Sequence, residues 1–379
     1  MNGVAKARLI IASSEQCADM LYATGFRAPD PFVFLECRGR RAILLSDLEL
    51  DRGYREARVD DVVSASELER KIILKTGAKP SPAAVIASFL KAHGATRPVV
   101  PADFPLGLSR ELEGQGIQVK PVLGMFLPER QIKTAEEIIL VTKAIRTTEI
   151  GMERAFEILR ASTIGLRNVL KWGGRVLTSE RLRTEIETAI LHAGGIPAGN
   201  SIVACGEQAC DPHGRGHGAL KANKMIIIDL FPRSATSGYY GDLTRTVVRG
   251  KATEEQARLW EICLLGQKLA LASLRPGIDG GAIHGEVQGF FTDNGYPTER
   301  LGGGKGRWSG FFHGTGHGLG LDLHEPPRFG ASRLKAGQVF TIEPGLYIPG
   351  IGGVRHEDVV LITPEGHRLL SRISKPFEL

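Results

Sequence analysis

Val339-Phe340-Thr341-Ile342 runs straight into Glu343-Pro344-Gly345, and Gly352-Gly353-Val354-Arg355-His356 runs into Glu357-Asp358-Val359-Val360-Leu361. Each segment reads as an apolar strand with a carboxylate set against it. Two earlier segments repeat the pattern. Met225-Ile226-Ile227-Ile228 ends in Asp229. After a turn-rich stretch over 232–238, Tyr239-Tyr240-Gly241-Asp242 leads into strand-like residues 243–248. A buried carboxylate without a partner is costly. One such acid is commonly a helix cap or half of a salt bridge. Four in one half-chain would each need a separate partner, whereas convergence on a divalent cation satisfies them together.

Between these segments lies His313-Gly314-Thr315-Gly316-His317-Gly318-Leu319-Gly320-Leu321-Asp322-Leu323-His324-Glu325. A lone histidine is more often structural than a ligand. Three imidazoles threaded with glycine suit a bound group, because glycine lets the backbone run close and neutral imidazole is a common metal ligand. The spacing does not match the helical H-E-x-x-H zinc motif. A carboxylate and imidazole set without cysteine suits Mn, Co, Fe or Zn. Four acids and a histidine exceed the needs of one ion, so two ions bridged by carboxylates is the economical reading.

The rest of the chain divides around these motifs. It has 379 residues, 42% apolar and 24% charged, which is ordinary globular composition and more than one core usually serves. Residues 8–12 read as a strand, and 31–37 with 42–46 as a hairpin around Arg38-Gly39-Arg40-Arg41. Ser81-Pro82 opens a helix that Gly94 closes, and Val99-Val100 is a buried strand. These make a small α/β domain over 1–130. A boundary falls near Gln131-Ile132-Lys133-Thr134, and 131–379 form the second domain. There Ile138, Val141, Ile145, Met152, Ala155 and Leu159 recur at helical spacing. A second helix starts near Ser179 and stops at Gly194-Gly195. A third starts at Thr253, with Gln256 completing a capping box, and a fourth runs from Asp279 to Asn294. Strand-like runs at 225–229, 243–248, 338–343 and 357–362 complete an α+β pattern with an antiparallel sheet.

Charge and cysteine usage narrow the class. The formal net charge is +6, but Lys and Arg are scattered rather than clustered, so no nucleic-acid partner is expected. The five cysteines are odd in number and irregularly spaced, which points to a reducing compartment without a disulfide framework. No apolar run approaches a membrane span, and a cytoplasmic protein without a membrane partner is expected.

Asp229, Gly241-Asp242-Leu243-Thr244-Arg245-Thr246, His313-Gly314-Thr315-Gly316-His317-Gly318, Leu323-His324-Glu325, Thr341-Ile342-Glu343-Pro344-Gly345 and Val354-Arg355-His356-Glu357-Asp358 resemble, in order, the motifs of the pita-bread metallopeptidases. That superfamily includes methionine aminopeptidase, Xaa-Pro aminopeptidase, prolidase and creatinase. The first domain resembles the creatinase-type N-terminal domain, which methionine aminopeptidases lack, and this favours the Xaa-Pro branch. The resemblance implies a creatinase-type N-terminal domain followed by a pita-bread catalytic domain with a curved antiparallel sheet and flanking helices. It implies two divalent ions, Mn expected with Co, Zn or Fe as alternatives. The implied reaction is hydrolysis of the Xaa-Pro bond, in dipeptides or at a peptide N-terminus, by a metal-bridging hydroxide. A homodimer is also implied.

Residue by residue, the resemblance places Asp229 on one metal, His317 on the other, and Asp242 and Glu357 between the two. Glu343 would bind metal and relay a proton. His324 and His213 would flank the reacting carbonyl, with His217 a rival for the second position and a possible substrate contact. Arg355 matches the arginine preceding the last ligand, expected to bind substrate. The interval from Asp229 to Asp242 is thirteen positions, two more than usual in the family. Two extra residues in a turn between paired strands keep both side chains on one face. Simpler readings stand beside these. Arg245 and Arg355 could be ordinary salt-bridge partners, Asp322 and Asp358 outer groups, and His93, His192 and His284 structural. Tyr239, Tyr240 and Trp308 could be packing or pocket wall. A catalytic thiol at Cys205 or Cys210 has no activating arrangement. Creatinase itself lacks the carboxylate set. A metal-dependent hydrolase or lyase of another small C–N substrate and a non-catalytic binding protein are the competing functions.

Overall fold

Short-range chemistry sets the first hairpin. The turn is only Arg38-Gly39, with φ of 53° and 77°. A two-residue hairpin turn needs left-handed backbone at its centre to match strand twist. Arg40 and Arg41, expected in the loop, are therefore paired with Cys37 and Glu36. The computed structural model describes residues 7–199, 201–330 and 332–379. One unit ends at Arg130 and a second spans Gln131–Leu379.

The first unit runs β1 (Arg8–Ala12), α1 (Ala18–Thr24), β2 (Phe32–Cys37), β3 (Arg40–Leu45), α2 (Asp47–Glu56), β4 (Asp61–Ser64), α3 (Ala65–Thr76), α4 (Pro82–Ala92), β5 (Val99–Pro101), α5 (Leu106–Gly114) and β6 (Lys120–Val122). The sheet order is β4-β3-β2-β1-β5-β6. The pairs β1–β2 and β2–β3 are antiparallel and the outer pairs parallel. Ser81 caps α4 through the Ala84 N–H, as its Ser-Pro start suggests. Helices α1, α2, α3 and α5 were not anticipated. Helix α1 has seven residues, too few to show an apolar period, whereas α3 sets the partly buried Ala65, Leu68 and Ile72 against the core.

The second unit opens with α6 (Ala135–Ala161), whose Thr134 and Glu137 form a reciprocal capping box. A small sheet of β7 (Thr163–Ile164), β8 (Leu170–Trp172) and β9 (Arg175–Val176) leads to α7 (Ser179–His192), capped by Thr178. Then come β10 (Gly195–Ile196), β11 (Ile202–Cys205), β12 (Met225–Leu230), β13 (Arg233–Ser234) and β14 (Leu243–Val248). Helices α8 (Glu254–Ser273) and α9 (Gly280–Asp293) precede the hairpin of β15 (Glu299–Arg300) and β16 (Trp308–Ser309). The chain closes with β17 (Val339–Ile342), β18 (Gly345–Ile348), β19 (Gly352–Arg355), β20 (Asp358–Thr363) and β21 (Gly366–Leu369).

Three antiparallel ladders, β11-β12-β14, β17-β20-β21 and β18-β19, form the curved sheet. Glu357 N–H donates to Thr244 O at 3.2 Å. Thr246 Oγ1 bridges the Arg355 N–H and C=O at 3.0 Å each, which ties β14 to β19. Helices α6 and α7 cover one face through Met152, Phe156, Leu182 and Ile186 against Ile226 and Ile228. Helices α8 and α9 cover the other through Leu259, Cys263 and Phe291 against Phe340, Ile342, Val354 and Val360. Strand β12 is buried at every position, which explains its continuous apolar run Met225–Ile228 rather than alternation. The architecture is α+β, with a mixed six-stranded sheet in the first unit and antiparallel ladders flanked by helices in the second. All five cysteines are free, and among the described residues no helix is long and apolar enough to cross a membrane.

Phe291 is fully buried and meets Phe311 edge-on at 5.5 Å between ring centroids. We expect Phe291→Ala to cost about 3–5 kcal/mol through lost transfer energy and an unfilled cavity. Urea unfolding measures this, and a cost below about 1 kcal/mol would contradict the packing described.

Candidate metal centre

The turn between β12 and β14 absorbs the two extra residues. Asp229 pairs across the ladder with Thr244, two positions after Asp242. The period of two in a strand therefore puts both aspartates on one face. Glu357 stands immediately before β20, and Thr244 Oγ1 donates to its Oε2 at 2.7 Å. Glu343 follows β17, and Thr341 Oγ1 donates to its Oε1 at 3.3 Å. Thr341 Oγ1 also accepts the His317 N–H at 3.0 Å. A Cβ on Gly316 would lie 1.9 Å from Thr341 O, so only glycine lets the histidine loop pack on β17.

These elements bring the side chains together. Ligand atoms of Asp242, His317 and Glu357 lie within 4.8 Å of one another. His317 Nε2 is 3.5 Å from Asp242 Oδ2 and 3.4 Å from Glu343 Oε1. Asp229 Oδ2 accepts from Arg355 Nη2 at 2.6 Å, whereas its Oδ1 is buried without a partner. Four carboxylates thus share one pocket with a single guanidinium. Burial, then repulsion from Glu357 and Asp229, raises the Asp242 carboxyl well above the ordinary range. Burial, then Glu343 and Asp229, does the same to Glu357. Glu343 is pushed up to about 7, chiefly by burial, with Arg355 opposing. Burial lowers His317, which keeps its imidazole neutral and its lone pair available. An unpaired buried oxygen, crowded acids and a neutral imidazole fit divalent metal ions held by hard oxygen and nitrogen donors.

Arg355 is 4% exposed and occupied by the protein's own groups. Besides Asp229, it donates to Tyr347 OH at 2.7 Å, Pro212 O at 3.3 Å and Thr244 Oγ1 at 3.3 Å. This is the geometry of a salt-bridge partner. The line continues from Tyr347 OH to His313 Nε2 at 2.8 Å. His313 is held down to about 3 by burial and the Arg355 charge, so it is neutral. Its motif was visible in the sequence, but its tie to Tyr347 and Arg355 was not, because that contact crosses the sheet. His324 is exposed and meets His317 at 4.2 Å between ring centroids. Burial and His317 lower its pKa.

His213 follows Pro212, whose carbonyl accepts from Arg355 Nη1 at 3.3 Å. His217 is pinned through its backbone by Gln208, which accepts its N–H at 2.7 Å and donates to its C=O at 3.1 Å. His284 is not without partners: its Nδ1 lies 2.9 Å from Thr315 Oγ1. With Trp308, Phe311, Phe312, His313 and Phe329 it lines a cavity of about 710 Å³. Arg245 pairs with Asp358 at 2.8 Å, and Asp358 also meets Lys375, so Asp358 is a buried outer group. Asp322 is exposed, and Tyr239 is buried against Glu137.

A sequence profile of metallopeptidase family M24 matches residues 140–364. The Xaa-Pro dipeptidase of Pyrococcus furiosus is 32% identical over 251 residues, 65% of this chain and 64% of its own length. That of Pyrococcus horikoshii is 30% identical over 283 residues, 73% of each. The alignment thus spans just under two thirds of the first relative. The crystal structure of the Pyrococcus horikoshii prolidase superposes with a TM-score of 0.76 at 26% identity, over 98% of this chain and 94% of that one. The X-Pro aminopeptidase of Thermotoga maritima gives 0.81 at 22% identity, over 99% and 97%, a likeness of fold.

The raised carboxyls set a proton linkage. A carboxyl held up to about 7 keeps its proton below that pH, and a cation must displace it. Apparent metal affinity therefore rises with pH through about 7. Calorimetric Mn²⁺ titration near pH 6.5, in buffers of different ionisation enthalpy, is expected to show at least about one proton released per chain. No release at that pH would contradict the crowded-acid description.

Proposed function

The chain belongs to metallopeptidase family M24, and from that premise we propose that it hydrolyses the bond between an N-terminal residue and proline, in Xaa-Pro dipeptides or longer peptides. The observation that carries the reading is the convergence of Asp229, Asp242, Glu343 and Glu357 with neutral His317 in one buried pocket. Two divalent ions, Mn expected and Co, Zn or Fe as alternatives, would be held by these five residues and supply water activation and Lewis acidity when bound.

The chain's own groups do the rest. Glu343, with a proton affinity near neutrality, accepts a proton and delivers it to the leaving prolyl nitrogen. That nitrogen belongs to a tertiary amide and offers no N–H, so the bond is recognised by shape and by its carbonyl. His324, beside His317 and open to solvent, donates to the developing oxyanion, with His213 on the other side. Arg355 pairs with the Asp229 carboxylate at 2.6 Å and aims it. The cavity walled by Trp308, Phe311 and Phe312 adjoins His313 and suits an apolar side chain or ring. The names of the Pyrococcus relatives support the Xaa-Pro assignment. The free thiols support a reducing, cytoplasmic setting, and the family resemblance supports a homodimer.

Metal-stripped protein is expected to cleave Ala-Pro or Ala-Pro-Ala only after Mn²⁺ is restored, and the preferred length distinguishes dipeptidase from aminopeptidase. No cleavage of either by metal-loaded protein would overturn the Xaa-Pro assignment in favour of another C–N substrate. His324→Ala should lower kcat by about 100-fold or more with metal content unchanged, since it removes one oxyanion donor. An unchanged kcat would remove His324 from the reaction.

A further inference from the structure

Lys133 and Glu325 form an ion pair with side chains only 3% and 1% exposed. Desolvating two charges is costly, and such a pair is often no more stabilising than apolar groups of the same shape. Stability alone does not explain it; its position does. Lys133 directly precedes Thr134, the cap of α6, and its N–H donates to Gly337 O at 2.8 Å. Glu325 directly follows His324, and the loop 318–325 folds around its carboxylate. Asp322 N–H donates to Oε2 at 3.3 Å, and a Cβ on Gly320 would lie 2.4 Å from Oε1.

The same loop orients the imidazole at the metal centre. Glu325 N–H donates to Gly318 O at 3.0 Å, and that carbonyl lies 3.1 Å from His317 Nδ1. The backbone partner of the His317 ring therefore belongs to the loop that Glu325 organises. A carbonyl accepting from Nδ1–H fixes the tautomer with the Nε2 lone pair turned to Asp242 and Glu343. The cap of α6 also holds the segment that leads to Asp242. Glu137 accepts from Tyr239 OH at 2.7 Å, three residues before Asp242.

We propose that Lys133 and Glu325 are a positioning pair: they anchor the loop 318–325 to the cap of α6 and so set the orientation of His317 and His324. The inference rests on His317 as a metal ligand, not on the identity of the substrate. The pair touches no reacting atom.

The test uses the full-length protein loaded with Co²⁺, whose visible d–d absorption reports ligand geometry. Lys133→Arg keeps the charge and is expected to keep the parent spectrum. The double variant Lys133→Met with Glu325→Gln leaves no unpaired buried charge and is expected to keep the parent melting midpoint. Its Co²⁺ bands should shift and its Co²⁺ affinity fall by about 10–100-fold, the usual cost of losing an outer partner of a ligating histidine. Should the double variant fold poorly, Glu325→Gln alone supplies the same readout. Parent-like bands and affinity in a folded variant would overturn the proposal. Parent protein that binds no Co²⁺ would overturn it together with the metal reading. Parent protein that binds Co²⁺ without cleaving Xaa-Pro would overturn only the substrate assignment.

Discussion

Like charges crowded into a buried pocket are the constraint on which this structure turns. Burial, with repulsion among the acids, raises Asp242, Glu343 and Glu357 above the ordinary carboxyl range, while Arg355 is paired with Asp229. Added positive charge is what would let the raised carboxyls ionise together. Thr244 on β14 and Thr341 on β17 each turn a hydroxyl to a carboxylate.

Beyond that inner group, the protein holds its ligands from behind with charge and aromatic hydroxyls. Arg355 and Tyr347 link Asp229 to His313 across the sheet. Arg245, fully buried, donates to Glu357 O and Asp358 and so braces the turn that presents Glu357. Gln267 donates to Ile342 O and His356 O, joining the segments before Glu343 and Glu357. Positions one or two residues from a ligand are thus fixed by contacts far apart in sequence. Outer partners of this kind tune ligand basicity and aim.

The legible part of the sequence was what local physics writes into it. An acid ending an unbroken apolar run, as at Asp229, marks a carboxylate placed where water is scarce. The Thr253–Gln256 box announced its helix, and the apolar period from Ile138 to Leu159 announced α6. The even shift between Asp229 and Asp242 foretold that both would face the same way, as the register with Thr244 shows. What stayed hidden depends on the fold already being made. Nothing near Lys133 points to Glu325, and nothing near Tyr347 points to His313. His213 and His217 look alike in sequence; the structure joins Pro212, beside His213, to Arg355 and ties the His217 backbone to Gln208.

The central claim is that these acids and His317 form one dinuclear site. Titration of metal-stripped protein with Mn²⁺, followed by electron paramagnetic resonance, tests it most directly. The account predicts about two equivalents bound per chain and an exchange-coupled spectrum from neighbouring ions sharing carboxylates. A single bound equivalent with the spectrum of an isolated ion, or no tight binding, would contradict it.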